Sequence, residues 1–132
     1  MSIQQNVAQQ NAIVRRGIMN CASSYLEDPQ SDPWLTSFLT THGLDPAGGL
    51  PVRFGYRPYQ GGDWFYVTWL TDAGHFWDIE VLVPYDGSEL EVFAFEDITA
   101  TTETSAHVRG TGKSFGCLAL EVQAELRGAS KP

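Results

Sequence analysis

"GGDWFYVTWLTDAGHFWDIEVL" (residues 61–82) decides the fold, for it carries three of the chain's four tryptophans in two strand-like runs parted by one turn. The connection "TDAGH" (71–75) suits a three-residue hairpin loop with Gly74 in the left-handed position. Thr71 then pairs with His75, which sets Trp69 opposite Trp77, Val67 opposite Ile79 and Phe65 opposite Val81. Successive strand residues point to opposite faces, so these six share one surface. The first run is also apolar on its other face, through Trp64, Tyr66 and Leu70. A strand with one face in water should alternate cleanly. Something must therefore account for the second face.

The next turn extends the sheet. "PYDGSE" (84–89) carries Asp86-Gly87, a strong two-residue hairpin signal. With those two at the tip, Tyr85 pairs with Ser88, Val83 with Leu90, Val81 with Val92 and Ile79 with Ala94. Phe65, Val67, Trp69, Trp77, Ile79, Val81, Val83, Leu90, Val92 and Ala94 then make one apolar face, the natural dock for helices. On the other face Leu82 meets Glu91, Glu80 meets Phe93, Asp78 meets Phe95 and Phe76 meets Asp97. In this register no two carboxylates stand opposed, which cross-strand electrostatics favours.

Upstream, residues 2–28 read as a helix. Ser2 and Gln5 fit a capping box, and Val7, Val14, Ile18, Cys21 and Tyr25 recur at helical spacing, with Arg15 and Arg16 facing solvent. After "EDPQSDP", Asp32 as N-cap, Pro33 at the first position and Gly43 past the end punctuate a second helix. Its apolar face is Trp34, Leu35, Phe38 and Leu39. "VRFGYRPY" (52–59) adds a strand. "FGCLALEVQAELR" (115–127) satisfies both periods. Leu118, Leu120, Val122, Ala124 and Leu126 alternate as in a strand, whereas Ala, Leu, Glu and Gln favour a helix; it is taken as a strand. The expected fold is α+β: two N-terminal helices packed on one face of an antiparallel sheet of four to five strands. It forms a single domain over 1–132, helical over 1–50, sheet over 51–127, with a tail at 128–132.

The chain of 132 residues is 42% hydrophobic and 18% charged, enough for a core without disulfide staples. Its N-terminus has no uninterrupted apolar run and reads as neither signal peptide nor anchor. No segment has the length to span a bilayer as a helix. Cys21 and Cys117 have no metal or redox spacing and read as buried free thiols of a cytoplasmic protein, with a disulfide as the other reading. The net charge is −8. Between Arg57 and Arg109 there is no Lys or Arg, while Asp63, Asp72, Asp78, Glu80, Asp86, Glu89, Glu91, Glu96, Asp97 and Glu103 all fall there. This balance argues against direct binding to nucleic acid or to anionic membranes.

Chemical motifs are sparse. "RGTGKSFG" (109–116) resembles the end of a phosphate-binding loop, but the pattern's first glycine would stand at His107, so no nucleotide site is expected. His42, His75 and His107 lack metal-ligand spacing. His75 and Asp78 project to opposite faces and form no local dyad. Glu89 with Glu91, or Asp78 with Glu80, can share a proton where a cleft desolvates them, but on exposed strands they are solvated. With no nucleophile beside a base, no catalytic residue, cofactor or metal is assigned.

Two accounts of the second face remain open. The C-terminal strand or the 99–116 loop folds over part of it, or it is a binding face where aromatics and acids interleave. The candidate partner-binding residues are Trp64, Tyr66, Phe76, Asp78, Glu80, Glu91, Phe93, Phe95 and Asp97. An acidic face of this kind steers a basic partner. "DWFYVTWL", "HFWDIEVLV" and "ELEVFAFED", with the acidic balance, give the chain a class-level resemblance over 61–97 to the immunity proteins of bacterial polymorphic toxin systems. That resemblance implies a cytoplasmic inhibitor, not an enzyme, that covers a basic toxin's active site. The alternatives are a pocket protein of the nuclear-transport-factor-2 type, with Asp78 or Glu80 as buried base, and a phage-encoded acidic inhibitor.

Overall fold

The computed structural model describes residues 3–105 and 113–128. Ser2 (and with it the capping box), His107 and residues 109–112 of the glycine-rich loop lie outside them. The elements run α1 (Ile3–Glu27), α2 (Pro33–Thr41), β1 (Gly49–Tyr59), β2 (Gly62–Thr71), β3 (Phe76–Pro84), β4 (Glu91–Asp97), α3 (Thr102–Ser105) and α4 (Phe115–Gly128). Two N-terminal helices followed by an antiparallel sheet is the expected α+β arrangement. The sheet is a four-stranded meander in the order β1-β2-β3-β4.

α2 starts at Pro33, whose missing N–H costs nothing in a first turn. The Asp32 side chain makes no capping hydrogen bond; its carbonyl accepts from Leu35 N at 2.9 Å. Gly43, at φ +81°, ends the helix in the left-handed conformation, with Leu44 N donating to Leu39 O at 2.8 Å. Leu35, Phe38 and Leu39 are buried against Val67, Trp69, Ile79 and Val81, with Trp34, Phe65, Trp77, Val83 and Leu90 around them. This is the helix-docking face read from the hairpins.

The β2–β3 register is as expected, with Phe65, Val67 and Trp69 opposite Val81, Ile79 and Trp77. Gly74 has φ +89°, and Thr71 N donates to His75 O at 2.8 Å. The β3–β4 register agrees for only two pairs, Leu82 with Glu91 and Val81 with Val92. A bulge follows, and Glu80 faces Ala94, Ile79 faces Phe95, Asp78 faces Glu96 and Trp77 faces Asp97. The strict alternation "EVFAFED" hides this slip. Its physical reason is Phe95, which the slip moves from the acidic face into the α2 core. There its ring stacks on Trp77 at 4.7 Å and meets Phe38 edge-on at 5.3 Å. Bulges are common on edge strands such as β4. In exchange, Asp78 and Glu96 stand opposite each other, against the expectation that no carboxylates would.

Residues 115–127 form a helix, not a strand. Ser114 caps α4, its Oγ accepting from Cys117 N at 3.0 Å. Leu118, Ala119 and Val122 follow at helical spacing and pack with Ile18, Val52, Leu70, Phe76 and Ile98. Arg15, expected in solvent, instead ties α1 to α4 through Glu125 at 2.8 Å and Glu121 at 3.7 Å. Gln123 donates to Thr71 O at 2.8 Å and Arg127 pairs with Asp72 at 3.0 Å, pinning α4 to the β2–β3 turn. Both cysteines are free, but only Cys21 is even half-buried; Cys117 is exposed. Among the described residues, no helix is long and apolar enough to cross a membrane.

Candidate functional site

The second sheet face divides into three zones along the strands. At the β2–β3 turn end, α4 and the middle of α1 cover Leu70 and Phe76, and Phe76 is 3% exposed. This zone is core, so Phe76 leaves the candidate surface. Phe95 leaves it too, since the bulge turns it to the α2 face. Asp97 lies opposite Trp77 on that same side, where its carboxylate accepts from Thr99 N at 2.9 Å and meets His75 Nδ1 at 3.0 Å. The Thr99 bonds, and then the His75 contact, hold the Asp97 carboxyl below the usual range. Sequence reading tested His75 against Asp78 and missed this pair because it spans two strands.

The remaining six residues, Trp64, Tyr66, Asp78, Glu80, Glu91 and Phe93, share the open part of the face. At its far end Trp64 packs on Phe93 at 4.8 Å and Tyr59 meets Trp64 edge-on at 5.0 Å. Phe93 remains 41% exposed and Tyr66 43%, far more than a ring needed only for the core. The face is not free of basic residues, as the 58–108 interval alone implied. β1 brings Arg57 over the Trp64 ring at 4.8 Å and Arg53 over the Phe115 ring at 4.5 Å. Both guanidiniums rest on aromatic rings, a contact worth on the order of 1 kcal/mol.

Between core and aromatic end lies a polar pocket of about 220 Å³, lined by Arg53, Tyr66, Val67, Thr68, Asp78, Glu80 and Glu103. Gly55 shapes its rim. A Cβ there would lie 2.2 Å from the Tyr66 ring, so the absence of one lets the tyrosine lie flat across β1. The Asp78 carboxyl is pushed up to about 6, first by desolvation, then by the charge of Glu80 and the hydrogen bond shared with it, then by Glu103 and Glu96. The bulge that buries Phe95 thus also helps raise Asp78, by setting Glu96 across from it.

This shift has a consequence for stability. Between pH 4 and pH 6 the folded chain holds a proton on Asp78 that the unfolded chain has released. The stabilisation is therefore full below about pH 4 and lost as pH rises through 6. For a side chain still half open to water it amounts to about 1 kcal/mol after screening. Asp78→Asn is expected to melt about 4 °C above wild type at pH 7.5 and level with it at pH 4. Equal melts at both pH values would show that Asp78 is unperturbed.

Among the described residues no group of three or more His, Cys, Asp or Glu side chains is placed to hold a metal ion. Lys113, the one lysine of the glycine-rich loop, pairs with Glu121 at 2.9 Å. The chain matches no protein-family model, no curated protein and no solved structure.

Proposed function

We propose that this chain is a cytoplasmic inhibitor of the immunity-protein kind, capturing a basic toxin through the open part of the second sheet face. The observation that carries the reading is the union of aromatic anchors, the exposed Tyr66 and Phe93 and the half-buried Trp64, with the carboxylates Asp78, Glu80 and Glu91 on one surface. Aromatic anchors beside charges that can be desolvated are what strong interface centres are made of. An exposed apolar patch with a polar rim is a recurrent mark of an interaction site. The test begins with the genes adjoining its own. A secreted-toxin gene there should yield a product that forms a stable complex with this chain and is no longer lethal when the two are co-expressed. If no neighbouring product binds, and pull-down from the native host recovers no basic protein, the reading fails.

The pocket-protein reading has one observation in its favour, the raised Asp78 carboxyl beside Glu80. Two weigh against it. The cavity of about 220 Å³ falls below the roughly 300–1,000 Å³ common for small-molecule sites. The aromatic rings of Trp64 and Phe93, which would have to line such a site, stand outside it.

A further inference from the structure

We propose that the pocket between β2 and β3 is a receptor for a single guanidinium group, in the complex an arginine side chain of the partner. The proposal deepens the capture reading above and rests on it for the source of the arginine, but not for the chemistry of the pocket. Two independent observations carry it. Three carboxylates, Asp78, Glu80 and Glu103, line the cavity against one guanidinium, Arg53, and that guanidinium is drawn aside over the Phe115 ring. Glu96 adds a further negative charge across the strand from Asp78. Separately, Thr68 lines the same cavity at 4% exposure, and among the described residues its hydroxyl has no hydrogen-bond partner. Because Thr68 lines the cavity, a ligand donor seated there can meet a hydroxyl that no other described group holds.

The geometry selects guanidinium over ammonium. Asp78 and Glu80 stand on the same face of β3, two residues apart, with Thr68 directly opposite Asp78 and Tyr66 opposite Glu80. A planar fork of donors can address several oxygens at once and lay its face on a tyrosine ring, which a compact ammonium cannot. The volume suits one side chain and little more. With a cation bound, the proton on Asp78 is displaced, so binding and deprotonation are coupled. Among the described residues, the groups that face Asp78 are Glu80 on its own strand, Tyr66 and Thr68 on β2, Glu96 on β4, Glu103 on α3 and Arg53 on β1. Of these, only Arg53 opposes the cation.

The test uses ethylguanidinium as the probe and ethylurea, its uncharged isostere, as the control, titrated into the full chain at fixed ionic strength. Amide shifts at Tyr66, Thr68, Asp78 and Glu80 are read by NMR. Ethylguanidinium is expected to saturate these shifts in the millimolar range, and ethylurea to leave them unmoved. Lowering the pH from 7.5 to 5 protonates about nine-tenths of Asp78, given its value of about 6, and should weaken binding about tenfold. Asp78→Asn should remove that pH dependence. Thr68→Val, which keeps shape and deletes the hydroxyl, should weaken the probe about three- to tenfold. Shifts that do not saturate, or that ethylurea reproduces, or that Thr68→Val leaves unchanged, overturn the proposal. If ethylguanidinium binds while no protein partner is found, the pocket stands and the capture reading falls. If a partner binds while the probe does not saturate, the reverse holds.

Discussion

Trp69→Ala is expected to cost about 3–5 kcal/mol, as other truncations of fully buried aromatics do. Trp69 is wholly inaccessible and sits where helix and sheet meet, with Tyr25 of α1 edge-on at 5.3 Å and Trp77 across the strand pair. The backbone closes around it. A Cβ on Gly49 would lie 2.6 Å from the indole nitrogen, so β1 passes too near to collapse further into a cavity without shifting. Against a total stability of roughly 5–15 kcal/mol the loss is a large fraction, and it should lower the melting temperature on the order of 15 °C. Among the described residues the indole N–H has no hydrogen-bond partner. Trp69→Phe should therefore recover much of the loss, because no polar contact disappears with the nitrogen and most of the ring volume returns. Phe93→Ala, on the open face, should cost far less. A Trp69→Ala melt within two or three degrees of wild type would mean that the β2–β3 register is wrong.

That register was legible because two local signals agreed. Gly74 demanded a particular loop, and the loop aligned Val67 with Ile79 and Trp69 with Trp77 on a single apolar face. The β3–β4 turn was equally readable at its base, where Leu82 meets Glu91. Beyond Val92 the alternation of Val, Phe, Ala and Phe satisfied either register, and the choice fell to a contact remote in sequence. Phe95 gains Phe38 and Trp77 only if the strand bulges. No period in 91–97 carries that information, because the partner ring lies on α2. The C-terminal segment was ambiguous for a different reason. Leu118, Val122 and Leu126 are shared by both periods, and the decision rests on Ala119 and on the Ser114 cap. The cap signal, a serine before the apolar run, stands in the sequence at Ser114. Taking 115–127 as a strand left no helix to cover Leu70 and Phe76, so Phe76 was assigned to the surface. Five of the six residues that remain on the open face depend on the β2–β3 hairpin or on the last pair before the bulge, and the sixth, Phe93, is the bulge residue itself, held there by Trp64.

The second large effect concerns capture. Asp78→Lys combined with Glu80→Lys is expected to weaken the complex with a basic partner about 30- to 5,000-fold, equivalent to roughly 2–5 kcal/mol. The size follows from where the carboxylates stand. Both are half-buried at the centre of the face, between the Trp64–Phe93 rings and the α4-covered end, so a partner cation that meets them is desolvated on binding. Reversal leaves that cation buried against like charge. A rim acid behaves differently: Glu91→Lys, on an exposed residue, should mainly slow association and do so less at high salt. The fold should survive the double change. Neither side chain touches the α2 core, the substitutions relieve a crowd of carboxylates, and two flexible lysines can reach water or pair with Glu96 and Glu103. The melt should therefore stay within a few degrees of wild type while the dissociation rate rises. Unchanged affinity in a folded double mutant would remove this face as the site. Loss of folding would mean instead that the acidic zone is part of the core, and the isosteric pair Asp78→Asn with Glu80→Gln would then separate charge from shape. That pair keeps the side-chain volume, so if it folds and still binds at full strength, charge at the centre of the face has no part in capture.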